Sequence, residues 1–341
     1  MTSQTASRRR TPPAAGGSAP AGPGTATTAI CAVPGPLRPL VPYEGNKAPY
    51  ADLLWRLLDP STPRYVEPFC GGLGALLARP GGARGVEIAN DLDALLSNAH
   101  RAVKHRPDQV AAHIDDGVAE LDLHARHLWL VEHRDRIATG LQLDPTWFDA
   151  QAAGWWLWGR SAWLGGGWCA GNSTWTREAI ETGRRAKRNS GAPGITRKVP
   201  TLMRPRGVFA RADVAGELEA ISARLARVTI TCGDWSRVIT PSIVRTERMS
   251  ILLDPPYDTT GDSRRFYGTS GAGVWQQVLV QVIEWGTRPN VRVVLCGHEG
   301  ADGGLLTLAG WSMHRLGERK GWATSTTHRA AEVAWASPAC N

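Results

Sequence analysis

Residues 250–257 read Ser-Ile-Leu-Leu-Asp-Pro-Pro-Tyr. The first four form a continuous, largely apolar run, the pattern of a central strand buried on both faces of a parallel sheet. That strand delivers an acid, two prolines and an aromatic to its carboxyl end, where open α/β sheets bind their ligands. The two prolines fix the backbone and hold a carbonyl at a set angle. The Asp254 carboxylate and that carbonyl can together accept both hydrogens of an NH₂ group, and Tyr257 offers a flat face for a planar ring. The exocyclic amine of a nucleobase is a poor nucleophile, because its lone pair is delocalised into the ring. Two acceptors on its hydrogens favour a pyramidal nitrogen with an available lone pair. The segment therefore suits chemistry on the amine of a base taken out of its stack. The bland alternative is a strand end followed by a Pro-rich turn, which needs no function.

The neighbouring sequence extends the pattern in both directions. Strand signals recur at Arg64–Pro68, Gly85–Ala89, Val228–Thr231, Val291–Leu295 and Ala331–Trp335. A helix candidate at Lys47–Leu58 precedes them, and others lie between them at Gly74–Ala78 and Val274–Trp285. Leu92, Leu95, Leu96, Ala99 and Val103 follow the spacing of one buried helix face, with Asn90-Asp91 placed to cap its start. Strands alternating with helices predict an α/β fold with a parallel, doubly wound sheet and helices on both faces.

A second chemical signal is Tyr65-Val-Glu-Pro-Phe-Cys-Gly-Gly72. A strand runs into a glycine turn, Gly71-Gly72-Leu73-Gly74, where only glycine allows a close backbone approach. Asp91 lies 19 residues past Gly72, after the next strand, at the place from which an acid binds ribose hydroxyls. The G-x-G-x-x-G spacing is absent, which argues against a nicotinamide cofactor.

The 341 residues predict about two domains and a core that needs no staples. Residues 1–36 read as a disordered tail: Ala, Gly, Pro, Ser and Thr fill 28 positions, with no aromatic and no acid. Residues 37–116 and 226–341 carry the strand–helix pattern. Between them, residues 117–225 lose it and read as an inserted, mostly helical module. Seven tryptophans fall between Trp147 and Trp175. Two readings of them stay open, core packing at helical spacing and stacking on nucleic acid. The net charge is +8, and the window 171–210, with nine basic residues against two acidic, holds almost all of it. Arg177, Arg184, Arg185, Lys187, Arg188, Arg197 and Lys198 in that window are the candidate phosphate contacts. Residues 259–273, with Arg264 and Arg265, form a candidate closing loop.

Other classes are disfavoured. No apolar run approaches the ~18 residues of a membrane span, and the N-terminus lacks the apolar segment of a secretory signal. A cytoplasmic protein without membrane contact is expected. The six cysteines are scattered, with no C-x-x-C pair, so neither a zinc site nor a disulfide framework is predicted. The nine histidines show no metal spacing.

Four segments in order carry a family resemblance: Tyr43-Glu-Gly-Asn-Lys47, Glu67-Pro-Phe-Cys-Gly-Gly72, Asn90-Asp-Leu-Asp93 and Asp254-Pro-Pro-Tyr257. Cys232-Gly-Asp-Trp235 and His328–Trp335 are weaker matches. The chain resembles, over about residues 41–336, the Dam-like (alpha-group) DNA adenine N(6)-methyltransferases. The resemblance implies a Rossmann-like methyltransferase sheet with a target-recognition domain inserted at 117–225. It implies S-adenosylmethionine as cofactor, double-stranded DNA as substrate, and site-specific methyl transfer to the N(6) amine of a flipped adenine. Tyr43 and Lys47 would contact the cofactor, Lys47 near its carboxylate. Glu67, Phe69, Gly71 and Gly72 would shape its methionine side, Asp91 would bind its ribose, and Asp234 with Trp235 would hold its adenine. Asp254 and the Pro255 carbonyl would grip the target amine, Pro256 completing the rigid turn and Tyr257 stacking on the base. Asp254 would also border the cofactor. The sequence departs from the family pattern at Tyr43, Asn46 and Leu73, the last standing where relatives often carry glycine. The alternatives are cytosine N(4) or RNA amine methylation, and a non-catalytic DNA-binding protein on the same fold. A monomer is expected. A partner restriction endonuclease in a restriction-modification system, a solitary role and a phage role are all compatible with the sequence.

Overall fold

The computed structural model describes residues 37–41, 45–114, 120–163, 168–169, 213–256, 273–317 and 331–340. The tail 1–36, Tyr43, the candidate phosphate contacts of 171–210, Trp175, Tyr257 and the loop with Arg264 and Arg265 lie outside them.

Seven strands among the described residues form one sheet. They are β1 (Arg64–Glu67), β2 (Val86–Asp91), β3 (Val228–Cys232), β4 (Met249–Leu253), β5 (Val291–His298), β6 (Ser312–Gly317) and β7 (Glu332–Ala336). Their order is β3-β2-β1-β4-β5-β7-β6. The pairs from β3 through β5 are parallel. Strand β7 runs antiparallel to both β5 and β6. The sheet is thus mostly parallel, and the expectation of a parallel sheet fails at this edge. Strand β6 was not foreseen, because Ser-Met-His-Arg-Leu-Gly has no apolar run and lies at the sheet edge, where Met313 is exposed. The chain steps outward from β1 to β2 and β3 on one side and from β4 to β5 on the other. The switch point of the sheet therefore lies between β1 and β4.

Period-2 alternation sorts the strand residues into two apolar clusters. Met249, Ile251 and Leu253 of β4 join Val291, Val293 and Leu295 of β5 and Trp335 of β7 in one. Leu252, Val294, Cys296, Ala334 and Ala336 join Tyr65 and Ala89 in the other. All five residues of β4 are buried, as a central strand covered on both faces requires. Eleven α-helices cover the described part of the chain: α1 (Ala51–Leu58), α2 (Gly74–Leu77), α3 (Ala94–His105), α4 (Pro107–Ala111), α5 (Glu120–Glu132), α6 (Arg134–Leu143), α7 (Ala150–Ala162), α8 (Val214–Leu225), α9 (Pro241–Thr246), α10 (Val274–Gly286) and α11 (Leu305–Leu308). Helix α10 packs Trp275, Val278, Val282 and Trp285 into the cluster of Ile251 and Leu253. Helices α1, α2, α3 and α8 pack into the other. No described helix is long and apolar enough to cross a membrane.

Helix α3 starts later than its apolar spacing predicts. Its N-cap is Asp93, whose side chain accepts from the Leu95 amide. Asn90 and Asp91 end β2 instead, and Leu92 is exposed. Helices α5, α6 and α7 continue the core of α3, contributing Leu123, Leu130, Ile137, Trp156, Leu157 and Trp158 to the same cluster. Of the described tryptophans in this region, Trp156, Trp158 and Trp168 are buried, and Trp147, Trp155 and Trp163 are partly buried against that core. These six pack as core residues. Arg126 lies over the Trp158 ring at 4.3 Å, and His127 stacks on Trp163 at 5.1 Å.

One buried acid joins α2, β2 and α8. Glu87 accepts from Arg79 Nη1 at 2.9 Å, Arg224 Nη1 at 2.6 Å and Arg224 Nη2 at 2.8 Å. The two guanidinium groups also donate to the carbonyls of Pro60, Thr62, Arg84 and Leu76, so most of their buried donors are satisfied, while Arg224 Nε has no partner among the described residues. Glu87→Ala is expected to destabilise the fold by about 3–5 kcal/mol, since it leaves two guanidinium groups without their shared counter-charge. Urea denaturation checks this, and a loss near zero would show that water compensates them.

His100 of α3 is fully buried, and neither ring nitrogen has a hydrogen-bond partner among the described residues. Burial pushes its pKa down to about 3. The unfolded chain takes up the proton below the ordinary value near 6.5, so stability falls as pH drops from there toward 3, by at most about 1.4 kcal/mol per pH unit. Glu67 and Asp91, raised by burial to about 8 and about 6, act with the opposite sign, their contributions fading as pH rises through those values. The difference between wild type and His100→Leu in acid denaturation isolates the histidine. The variant is expected to lose less stability between pH 6.5 and 3, and parallel curves would exclude the effect.

Candidate functional site

The carboxyl ends of β1 and β4 border the switch point, and each carries one of the two segments singled out by the sequence. At the end of β4, Asp254 is partly buried, Pro255 buried and Pro256 partly buried. At the end of β1, Glu67 and Pro68 lead into Phe69, Cys70 and the glycine turn.

Lys47 meets the first of these segments. It lies 4 % exposed, just before a short 3-10 helix at Ala48–Tyr50. Its Nζ donates to Asp254 Oδ2 at 2.6 Å and to the Gly45 carbonyl at 2.8 Å, and lies 2.8 Å from Glu332 Oε1 of β7. Burial alone would lower the Lys47 pKa, but the attraction of Asp254, with Glu332 adding to it, outweighs that and holds it above its ordinary value. The ammonium is therefore held in its charged form at neutral pH. Gly45 has φ +88°, and a Cβ there would stand 3.4 Å from Asp254 Oδ2, so a glycine lets the chain turn over the pair.

The glycine turn is held from beneath. Asp91 Oδ2 accepts from the Gly71 amide at 3.0 Å, and Oδ1 accepts from the Asp93 amide. Asn90 donates to the carbonyls of Pro68 and Gly233 and accepts from Thr231 Oγ1. The Cys70 amide donates to the Asn90 carbonyl, and the Gly233 amide to the Asp91 carbonyl. Two adjacent residues at the end of β2 thus tie together the ends of β1, β2 and β3. Gly71 has φ +45°. Leu73 is left-handed with φ +62°, a conformation that glycine adopts more readily than leucine. The backbone cost is about 1–2 kcal/mol, and complete burial of the leucine side chain, worth about 1.5–3 kcal/mol, offsets it. A Cβ at Gly74 would stand 2.1 Å from Asn46 Oδ1 and 2.9 Å from the Ala48 amide, so the segment carrying Lys47 lies directly on the start of α2.

The remaining candidates divide. Phe69 and Trp235 stack with ring centroids 5.9 Å apart. Trp235 is buried and also meets Trp285 edge-on, while Asp234 is exposed and caps its own short helix through Ser236. Glu67 is 3 % exposed, and the Tyr65 hydroxyl donates to it. Burial raises its pKa to about 8, so it is protonated at neutral pH. Its side chain is a core group as much as a site group. Tyr43, Tyr257, Arg177, Arg184, Arg185, Lys187, Arg188, Arg197 and Lys198 lie outside the described residues. Sequence reasoning assigned no role to Glu332. Its one signal was an acid at the head of the apolar run Glu-Val-Ala-Trp-Ala. The sequence marks Asn90 as a helix cap and carries no signal for its binding of two loop carbonyls.

The arrangement offers a carboxylate fixed by an ammonium, next to a buried prolyl backbone, at the same end of the sheet as the glycine turn. Asn90→Ala is expected to destabilise the protein by about 1–3 kcal/mol, because it strands the carbonyls of Pro68 and Gly233. It should also speed hydrogen exchange at the Cys70 and Gly233 amides, and unchanged exchange there would show that the loops hold without it. Neither the family models nor the curated proteins compared with this chain match it.

Proposed function

We propose that this chain is a site-specific DNA methyltransferase acting on the exocyclic N(6) amine of adenine, with S-adenosylmethionine as methyl donor and double-stranded DNA as substrate. The observation that carries this reading is the pairing of Asp254-Pro255-Pro256 with the glycine turn across the switch point of a doubly wound sheet, with Lys47 bonded to Asp254. The resemblance of the four ordered segments supplies the choice of donor and base.

The residues at the ends of β1 and β2 fit such a donor. Gly71 and Gly72 present backbone without side chains, Asp91 lies beside them, and Phe69 with Trp235 provides an aromatic pair. Bound there, S-adenosylmethionine supplies an electrophilic methyl group. Asp91, with a pKa pushed up to about 6 by burial, is mostly ionised at neutral pH and serves as an acceptor for hydroxyls. Asp254 and the Pro255 carbonyl each accept one hydrogen of the target amine. That draws the nitrogen lone pair out of conjugation and aims it at the methyl carbon. As the nitrogen gained the methyl carbon, the carbon–sulfur bond of the donor would break to leave a neutral thioether, and one N–H proton would pass to solvent. The acceptors act by orientation and by opposing the positive charge that develops on nitrogen. Tyr257 would stack on the flipped base. The basic stretch at 171–210 would bind the DNA backbone.

Incubation with labelled S-adenosylmethionine and mixed-sequence duplex DNA, followed by digestion to nucleosides, tests the reading. Label is expected on N(6)-methyladenine. Label on N(4)-methylcytosine would keep the mechanism and change the base, and no labelled nucleoside would overturn the reading. Asp254→Ala is expected to reduce transfer at least about 10²-fold while leaving the circular dichroism spectrum unchanged.

A further inference from the structure

Glu332 opens β7, on the far side of β5 from β4. It is cross-strand partner of His298, and its side chain is buried. Asp254 ends β4, on the near side of β5. Two strand spacings, about 10 Å, separate the lines of β4 and β7. One Lys47 ammonium spans them, 2.6 Å from Asp254 Oδ2 and 2.8 Å from Glu332 Oε1. A buried carboxylate costs several kcal/mol of lost hydration unless a counter-charge compensates it, so an acid in an otherwise apolar strand calls for a reason.

Charge supplies one. Paired with Lys47 alone, Asp254 would form a neutral unit, and its power to draw on the hydrogens of an amine would be spent on the ammonium. With Glu332 holding the same ammonium, the three groups sum to −1, and the surplus negative charge stays beside the position where positive charge develops. We propose that Glu332 is a positioning residue. It takes its share of Lys47, fixes the ammonium in place, and so leaves Asp254 an effective acceptor for the target amine. This inference rests on the methyl-transfer reading given above.

Two measurements test it. In methyl transfer to duplex DNA, Glu332→Gln keeps the shape and removes the charge. Its kcat is expected to fall about 10- to 100-fold, the usual cost of losing a supporting partner. KM for DNA and for S-adenosylmethionine should change less than about twofold, because the proposed role acts through Lys47 and not through a contact to either ligand. Glu332→Asp should recover part of the loss. The second measurement uses the protein without cofactor or DNA. Glu332→Gln is expected to lower Tm in the wild-type background and to raise it in Lys47→Met, where the glutamate is a buried charge without its cation. Equal Tm effects in the two backgrounds, or an unchanged kcat in an active Glu332→Gln protein, would overturn the inference and leave the methyl-transfer reading standing. Absence of methyl transfer by the wild type would overturn both. Should Glu332→Gln fail to fold, Glu332→Asp carries the same kinetic test, a reduced kcat at constant KM supporting the role and an unchanged kcat refuting it.

Discussion

The buried ammonium of Lys47 is the interaction on which the rest of the site depends. It is bonded to the end of β4 through Asp254, lies against the start of β7 through Glu332, and closes its own segment through Gly45. These contacts join parts of the chain that are 207 residues apart in one case. An ion pair this deep survives only if each charge is compensated, because losing either partner strands the other in a medium that solvates it poorly. The constraint propagates. The Lys47 segment must lie on α2, which requires Gly74 to lack a side chain, and α2 in turn follows a turn that forces Leu73 into a left-handed conformation.

The sheet allows such a site because its two faces are fully served elsewhere. Alternate residues of β4, β5 and β7 fill two apolar clusters, so the strand ends do not have to supply hydrophobic stability. A second buried charge cluster, Glu87 between Arg79 and Arg224, lies on the same sheet and fastens α2 and α8 to β2. The guanidinium of Arg79 also lies 5.1 Å from the Trp55 ring centroid, so its apolar surroundings contribute cation–π attraction. Of the two ionic clusters, this one is enclosed in the framework, with both partners of each ion pair buried. The Lys47 cluster instead borders the carboxyl ends of the parallel strands, where Asp254 keeps partial exposure. That contrast is the physical basis for reading one as structure and the other as chemistry.

The sequence made the elements legible where burial on both faces imposes a continuous apolar run, or burial on one face imposes a period. β4, β5, α10 and the buried face of α3 are such cases. It failed at β6, a short polar edge strand, and at the start of α3, where Leu92 matches the helical period yet lies exposed beyond the cap. Apolar spacing reports which residues can share a face. It does not report where the chain leaves the helix, which hinges on a hydrogen bond from Leu95 to Asp93 rather than to Asn90 or Asp91. The tryptophans around 155–158 show the complementary limit. Their spacing fits a helix, but only packing against α3 decides that Trp156 and Trp158 turn inward.

By itself, the sequence determined that the chain alternates strands and helices, that Asp254-Pro-Pro and the glycine turn end buried strands, and that Asp91 stands at the end of the second strand. These are local matters of torsion preference and hydrophobic period, read within ten or twenty residues. Only the tertiary structure decided that β1 and β4 are neighbours, that β7 runs against β5, and that Lys47 shares its charge between Asp254 and Glu332. The physical reason is that strand order and ion pairing are contacts between distant segments. Their energy depends on separation in space and on lost hydration, and neither is written in the spacing of residues along the chain.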